Sequence, residues 1–359
     1  MLRLLCLCAA LLLLLRADCA HKTYTRVPIQ TLSATTAAAL QKLGHSKHAA
    51  EVITDTLIYA ELRANNQGLM KLVTGGLGFA ECTPVRTTFE TPVSAQLDGG
   101  RNVGMVVLDA ALNQAIAKAK KSGICVVGCS NYSSATGALG CWAQRAAEQG
   151  LIGVVITQCS EMVAPHGSFE PIFGTNPIAV GLPLSPPLVL DMATSACAWY
   201  GLKTALAEGG SIPDNVAYDS NGRPTTDPAE ALRGALRVFD RSYKGSHIAL
   251  MVELLAGALT GAAMENKGAA GNWGSLVLVL DPALLGPSTP EEFRRRSEQM
   301  CDRVRNAKRL EGEGEGEGGQ GKLLLPGERG DQAAAANLRL GSVPVLDSVY
   351  AELRAIAGV

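Results

Sequence analysis

The chain has 359 residues, 47% of them hydrophobic, enough apolar material for one large domain or two. A formal net charge of -1 with 18% charged residues argues against an electrostatic nucleic-acid binder. The 39 glycines and the low aromatic fraction fit an alanine-rich α/β enzyme rather than a disulfide scaffold.

Residues 1–20 stand apart. Arg3 precedes an unbroken apolar run over 4–15, and small residues surround a plausible cut after Ala20. This is the pattern of a secretory signal, too short to span a bilayer comfortably. The cysteines point the other way. Cys82, Cys125, Cys129, Cys141, Cys159, Cys197 and Cys301 form an odd set in apolar surroundings, as buried thiols do. The compartment therefore stays open between the secretory pathway, an organelle and the cytoplasm. No stable membrane association is expected once the leader is removed. No Cys/His cluster has metal-ligand spacing, so no metal is expected.

In chain order, helices are predicted over 31–43 and 46–64. Ser46 is a natural N-cap of the second, which stops in the turn Asn65-Asn66-Gln67-Gly68. A strand over 91–97, a helix over 103–121 and a strand over 124–128 read as a β-α-β unit. The glycine cluster at 99–104 between strand and helix is neither a dinucleotide fingerprint nor a P-loop. A tight turn needing positive φ is the simpler reading. A helix over 137–149, a strand over 152–157 and short strands at Val180 and Val189-Leu190 follow. Beyond them come a buried helix over 248–264, a strand over 275–280 and a terminal helix over 343–357. The run EGEGEGEGGQG at 311–321 is a low-complexity acidic loop that cannot bury apolar area. The domain reading is a cofactor-binding α/β unit over 93–272. Residues 21–92 pair with 273–359 as a helical, substrate-side unit.

The most specific stretch is 163–195, VAPHGSFEPIFGTNPIAVGLPLSPPLVLDMATS. It is followed by NGRPTTDP at 221–228, YKG at 243–245, ALMVELLAG at 249–257 and LPGE at 325–328. This succession resembles the malate/L-lactate dehydrogenase-like family of NAD(P)-dependent oxidoreductases. The resemblance runs over nearly all of 26–357. It implies a mixed-sheet α/β fold distinct from the Rossmann fold, a homodimer, and NAD or NADP as cofactor. It also implies a small 2-hydroxy or 2-oxo acid as substrate. The residues it implies for the dinucleotide are Asp191, Met192, Ala193, Thr194, Ser195, Tyr243, Lys244, Gly327 and Glu328, with Thr175 and Asn176. Thr194 and Ser195 offer hydroxyls there and Lys244 a point charge.

The departures from the family pattern carry as much information. Gln67 stands where a family histidine is expected and cannot exchange a proton near neutral pH. A second family histidine is missing from 130–137, SNYSSATG. Lys71 stands where an arginine is usual. Lys71 or Arg63 would serve as the cation for a substrate carboxylate, and Ser130, Asn131 and Cys159 lie on the substrate side. Tyr132, Ser133 or Asn131 would face the developing oxyanion, and Tyr132 or His166 is the candidate acid/base. Three readings follow: a 2-hydroxy-acid dehydrogenase, a reductase of a cyclic imine or sugar-derived oxo acid, and a catalytically silent dinucleotide-binding paralogue.

Overall fold

Two stretches far apart in the sequence meet in one small ribbon. Strand β1 (Tyr24–Pro28) pairs antiparallel with a late strand at Ser342–Leu346, Val27 lying opposite Val343. The computed structural model describes residues 23–77, 82–286, 289–308 and 323–359. The leader, His21 and the acidic run at 311–321 lie outside them.

Helices α1 (Ile29–Lys42) and α2 (Lys47–Leu62) follow β1, and Ser46 caps α2 by accepting the N–H of Ala49 at 3.2 Å. A single turn, α3 (Met70–Val73), leads to the hairpin β2 (Arg86–Thr91) and β3 (Ser94–Asp98). Helix α4 (Gly104–Ser122) then crosses to β4 (Ile124–Tyr132), parallel to β3. Helix α5 (Gly140–Glu148) leads to β5 (Ile152–Thr157), and β6 (Ile178–Leu182) and β7 (Leu188–Met192) complete that half. Helix α6 (Trp199–Ala207), the ribbon β8 (Ala217–Tyr218) and β9 (Ala235–Leu236), and α7 (Pro228–Arg233) between them form a second, smaller cluster.

Helix α8 (Tyr243–Val252) continues through a π-helical turn at Glu253–Gly257 and a 3-10 turn at Ala258–Thr260. The one-turn α9 (Lys267–Ala270) precedes β10 (Trp273–Leu280). The main sheet has seven strands in the order β2-β3-β4-β10-β5-β6-β7. Only the β3–β4 pairing is parallel, so the sheet is mixed, as the resemblance implies. Strand β10 comes from the part of the sequence grouped with the termini, yet it lies at the centre of this sheet. The last elements are α10 (Pro290–Arg305), α11 (Glu328–Leu340), β11 (Ser342–Leu346) and α12 (Asp347–Ala357).

Three local expectations change. The terminal helix begins only at Asp347, because Val343 and Val345 alternate with exposed Pro344 in a strand paired with β1. Strand β4 runs on through Tyr132, drawn out by pairing with Trp273 beyond a register shift in β10. The segment expected to be a buried helix at 248–264 is amphipathic. Ile248, Met251, Leu254, Leu255, Leu259 and Met264 are all exposed in the single chain.

The π turn is pressed against β10. A Cβ at Gly274 would sit 1.9 Å from the Ala256 carbonyl oxygen and 2.6 Å from Thr260 Oγ1. The contact is with backbone, which cannot swing aside. Gly274→Ala is expected to destabilise the fold by about 1–3 kcal/mol through overpacking. Equilibrium urea unfolding checks this, and an unchanged midpoint contradicts the close approach.

Candidate active site

A cavity of about 610 Å³ opens where several parts of the chain converge. The turn after α2 gives Asn65, Asn66 and Gln67, and α3 gives Lys71. The stretch after β4 gives residues 133–139, and the end of β7 with the start of α6 gives Asp191–Ala193, Ser195 and Tyr200. Each wall is held for a local reason. The 133–139 stretch is tied by Met105 N–H to the Ala135 carbonyl at 3.2 Å and by Trp142 Nε1 to the Thr136 carbonyl at 2.9 Å. The turn after α2 is fixed by Glu61, whose Oε1 accepts the Leu69 N–H at 2.6 Å. Gly68 leaves room for it, because a Cβ there would lie 2.1 Å from that oxygen and Glu61 would have to shift. The left-handed residue ending α2 is Ala64, not Gly68.

Lys71 is the most unusual group in the cavity wall. It is 4% exposed, and its Nζ lies 3.9 Å from the centre of the Tyr200 ring. Lys203 Nζ approaches the same ring at 5.1 Å. Among the described residues no carboxylate pairs with Lys71. Burial lowers its ammonium from 10.5 to about 7, and neighbouring Lys203 pushes the same way. Cys159 also lines the cavity, with Sγ 3.6 Å from Thr175 Oγ1, and its thiol is raised by burial. Asp191 is open to the cavity but hemmed by protein. Desolvation pushes its carboxyl up to about 6, against a backbone hydrogen bond from Gly140 at 2.8 Å.

The two expected acid/base residues do not reach this space. Tyr132 is fully buried, and its hydroxyl lies 2.5 Å from Ser275 Oγ inside the sheet. Burial drives its phenol far above the usual range, so it neither touches a substrate nor ionises. The cause is the extended β4, where Asn131, at a positive φ of 56°, breaks the alternation of Cys125, Val127 and Cys129 at the register shift and turns this ring inward. His166 is exposed and does not line the cavity, its backbone N–H held by Ser246 Oγ at 2.6 Å. Among the described residues no histidine lines the cavity.

The other expected site residues divide. Gln67, Lys71, Cys159, Thr175, Asp191, Met192, Ala193 and Ser195 line it. Thr194 is buried beneath the wall, donating from Oγ1 to the Thr175 carbonyl at 3.2 Å. Asn176 is buried as well, with Nδ2 on the Ala249 carbonyl and on Glu253. Ser130 and Asn131 face away, Ser130 toward Gln96 and Asn131 toward Asp98. Arg63 is spent on Asp331, Gln144 and the Tyr59 ring. Tyr243 and Lys244 are exposed at the start of α8. Gly327 and Glu328 cap α11, with Glu328 paired to Arg305. In this chain alone none of these four reaches the cavity. The 99–104 turn is no phosphate cradle, since the N–H groups of Gly99, Gly100 and Arg101 are taken by Ser130, Asp98 and Asn131.

Sequence reasoning missed Tyr200, Trp199, Trp273 and Ser134, all in the wall. Ser134 adopts a positive φ of 77°, and its hydroxyl bonds to the Gly76 carbonyl. Only the start of α6 directly after the Asp191–Ser195 motif was available as a signal for the two aromatic residues. The chemistry of the wall suits a dinucleotide. It mixes amides and hydroxyls from Asn66, Gln67, Ser133 and Ser195 with flat aromatic surface from Trp199, Tyr200 and Trp273.

The geometry can be set beside known proteins. The malate/L-lactate dehydrogenase family model matches residues 27–354. A malate dehydrogenase from Pyrococcus horikoshii is 32% identical over 358 residues, covering 94% of this chain and 96% of that one. A delta(1)-pyrroline-2-carboxylate/delta(1)-piperideine-2-carboxylate reductase from Pseudomonas putida is 31% identical over 79% of this chain and 86% of its own length. The solved structure of the Pyrococcus horikoshii malate dehydrogenase superposes with a TM-score of 0.79 at 28% identity, covering 95% of this chain and 97% of that one. With most of its length matched by the family model and the same mixed sheet, the chain belongs to the malate/L-lactate dehydrogenase family of enzymes.

Proposed function

We propose that this enzyme interconverts a small 2-hydroxy acid and its 2-oxo acid with NAD or NADP, and that Lys71 is its acid/base. The observation that carries the reading is a buried, carboxylate-free lysine in the wall of the cavity, poised near neutral pH. When bound, the nicotinamide supplies or accepts the hydride at the substrate carbon. As ammonium, Lys71 attracts the anionic substrate and gives its proton to the carbonyl oxygen as charge develops there. The resulting amine recovers a proton from solvent. Hydroxy-acid oxidation runs the same proton transfer backwards. Tyr200 shields one side of Nζ from water, and Gln67 and Ser133 are left to orient the carboxylate. Asp191, Met192, Ala193 and Ser195 form the wall on which the dinucleotide would rest. A cyclic imine is the second substrate class, supported by the reductase relative. An acid near 7 protonates an imine nitrogen as readily as an oxyanion.

Oxidation of NADH and NADPH, followed spectrophotometrically with 2-oxo acids and with cyclic imino acids, tests the activity. Lys71→Met is expected to lower turnover by roughly 10²–10⁴-fold. Tyr132→Phe should leave it within a few-fold. In the parent, kcat/KM for reduction should fall as pH rises through about 7, where free Lys71 loses its proton. Stability moves in the other direction. Unfolded Lys71 stays charged to about 10.5, whereas folded Lys71 does so only below about 7. Between those values the unfolded chain holds more protons, so this residue makes stability rise with pH. Lys71→Met should therefore melt above the parent at pH 6. An active Lys71→Met with a dead Tyr132→Phe contradicts the assignment. A parent inert toward every compound favours a silent paralogue.

We also propose a homodimer built on the apolar face of α8 and its π turn, where Met251, Leu254, Leu255 and Leu259 are exposed together. A patch of this kind in a soluble chain calls for a cover, and closed twofold pairing provides one. Light scattering should give twice the chain mass. Leu254→Glu with Leu255→Glu should give single chains. A monomeric parent contradicts this.

A further inference from the structure

Directly beneath that apolar face lies an ion pair that no part of the proposed chemistry uses. Glu253, 3% exposed, begins the π turn, and Lys267, 1% exposed, begins α9. Neither lines the cavity. Lys267 Nζ reaches Glu253 Oε1 at 2.6 Å. The same oxygen accepts the Gly174 N–H at 3.0 Å and Asn176 Nδ2 at 3.0 Å. Glu253 Oε2 has no hydrogen-bond partner among the described residues, so every donor converges on a single atom. Lys267 Nζ also donates to the Ile172 carbonyl at 3.2 Å, and Lys267 N–H to Glu161 Oε1 at 2.9 Å.

What these bonds hold is informative. Gly174 and Asn176 flank Thr175, which lines the cavity. The Thr175 carbonyl accepts both the N–H of Thr194, at 2.9 Å, and its hydroxyl, at 3.2 Å. Thr194 lies between Ala193 and Ser195, both cavity residues. On the other side, Gly268 follows Lys267 into the wall, and Trp273 Nε1 donates to the Lys267 carbonyl at 3.2 Å. One carboxylate oxygen thus fixes two stretches of wall. A buried ion pair is poor value as stabilisation, because desolvating both charges offsets most of their attraction. Its worth lies in fixing geometry, since each donor must be satisfied in one place.

We propose that Glu253 and Lys267 are a positioning pair for the dinucleotide: they set the Ala193–Ser195 wall through Thr175, and the Gly268 and Trp273 wall through Lys267. This rests on the dinucleotide reading of the cavity. A purely structural pair would affect binding only as far as it affects stability, and that separates the two roles.

The test is a fluorescence titration of NADH and NADPH against the full-length parent, Glu253→Gln, Lys267→Met and the double variant, with melting temperatures measured alongside. Each single variant leaves one buried charge unpaired and should melt lower, with dinucleotide Kd raised about tenfold. Turnover at saturating dinucleotide should stay within about threefold of the parent, placing the effect in binding. The double variant buries no unpaired charge, so its melting temperature should return toward that of the parent. Its Kd should stay at least about fivefold raised, because methionine donates neither to the Ile172 carbonyl nor to the side chain at 253. Should the single variants fail to fold, the double variant carries the test. A double variant that regains both stability and affinity, or single variants whose Kd stays within twofold, overturns the pair's positioning role alone. A parent that binds neither dinucleotide overturns the cofactor reading, and the inference with it.

Discussion

Strand β10 bonds along both edges, to β4 from Ile124 to Tyr132 and to β5 from Ile152 to Thr157. It runs antiparallel to each, so β4 and β5 point the same way without touching. Their spacing is set by a strand that arrives much later in the chain. The cavity depends on this insertion. The 133–139 wall leaves the end of β4, Cys159 follows the end of β5, and Trp273 opens β10 itself. Three wall segments thus take their separation from one set of backbone hydrogen bonds. Backbone ladders are a stiff way to hold loops at fixed distances.

The proposed chemistry then depends on what this frame does to one amine. On a free helix turn Lys71 would be an ordinary cation. Buried in the cavity wall against the Tyr200 ring, with Lys203 beyond it, its ammonium is lowered by desolvation to about 7. That environment offers a physical answer to the missing histidines. Imidazole is useful because it titrates near 7, and burial brings a lysine to the same value from above. The substitutions at Gln67 and in 130–137 then remove groups whose task another residue can perform.

Much of the fold was legible. Ser46 announced α2, the 103–121 pattern gave α4, and the ordered motifs from Ala164 to Glu328 identified the family and with it the mixed sheet. What stayed hidden was set by distant partners. Nothing near Tyr132 says that Trp273 will extend its strand and turn the phenol into the core. Val343-Pro344-Val345 reads as the start of a helix until β1 is known to lie beside it. In the site, the Asp191–Ser195 wall was readable from its motif. Within that motif, only the fold separates Ala193 and Ser195, which line the cavity, from Thr194, which sits beneath it. Lys71 was visible as a cation, but its lowered ammonium comes from burial and, less, from Lys203, neither of which the local sequence shows.

The lowered ammonium of Lys71 has a consequence for ligand recognition. On the proposed reading, an anionic substrate beside Nζ favours the ammonium and so raises the value of about 7. Just above neutrality the empty site holds less than one proton on this amine, and the filled site holds nearly all of it. Substrate capture therefore draws a fraction of a proton from the medium. The heat of binding then depends on the ionisation enthalpy of the buffer that supplies it. Affinity and acidity become linked variables, and a modest fall in local pH tightens the enzyme's hold on its acid.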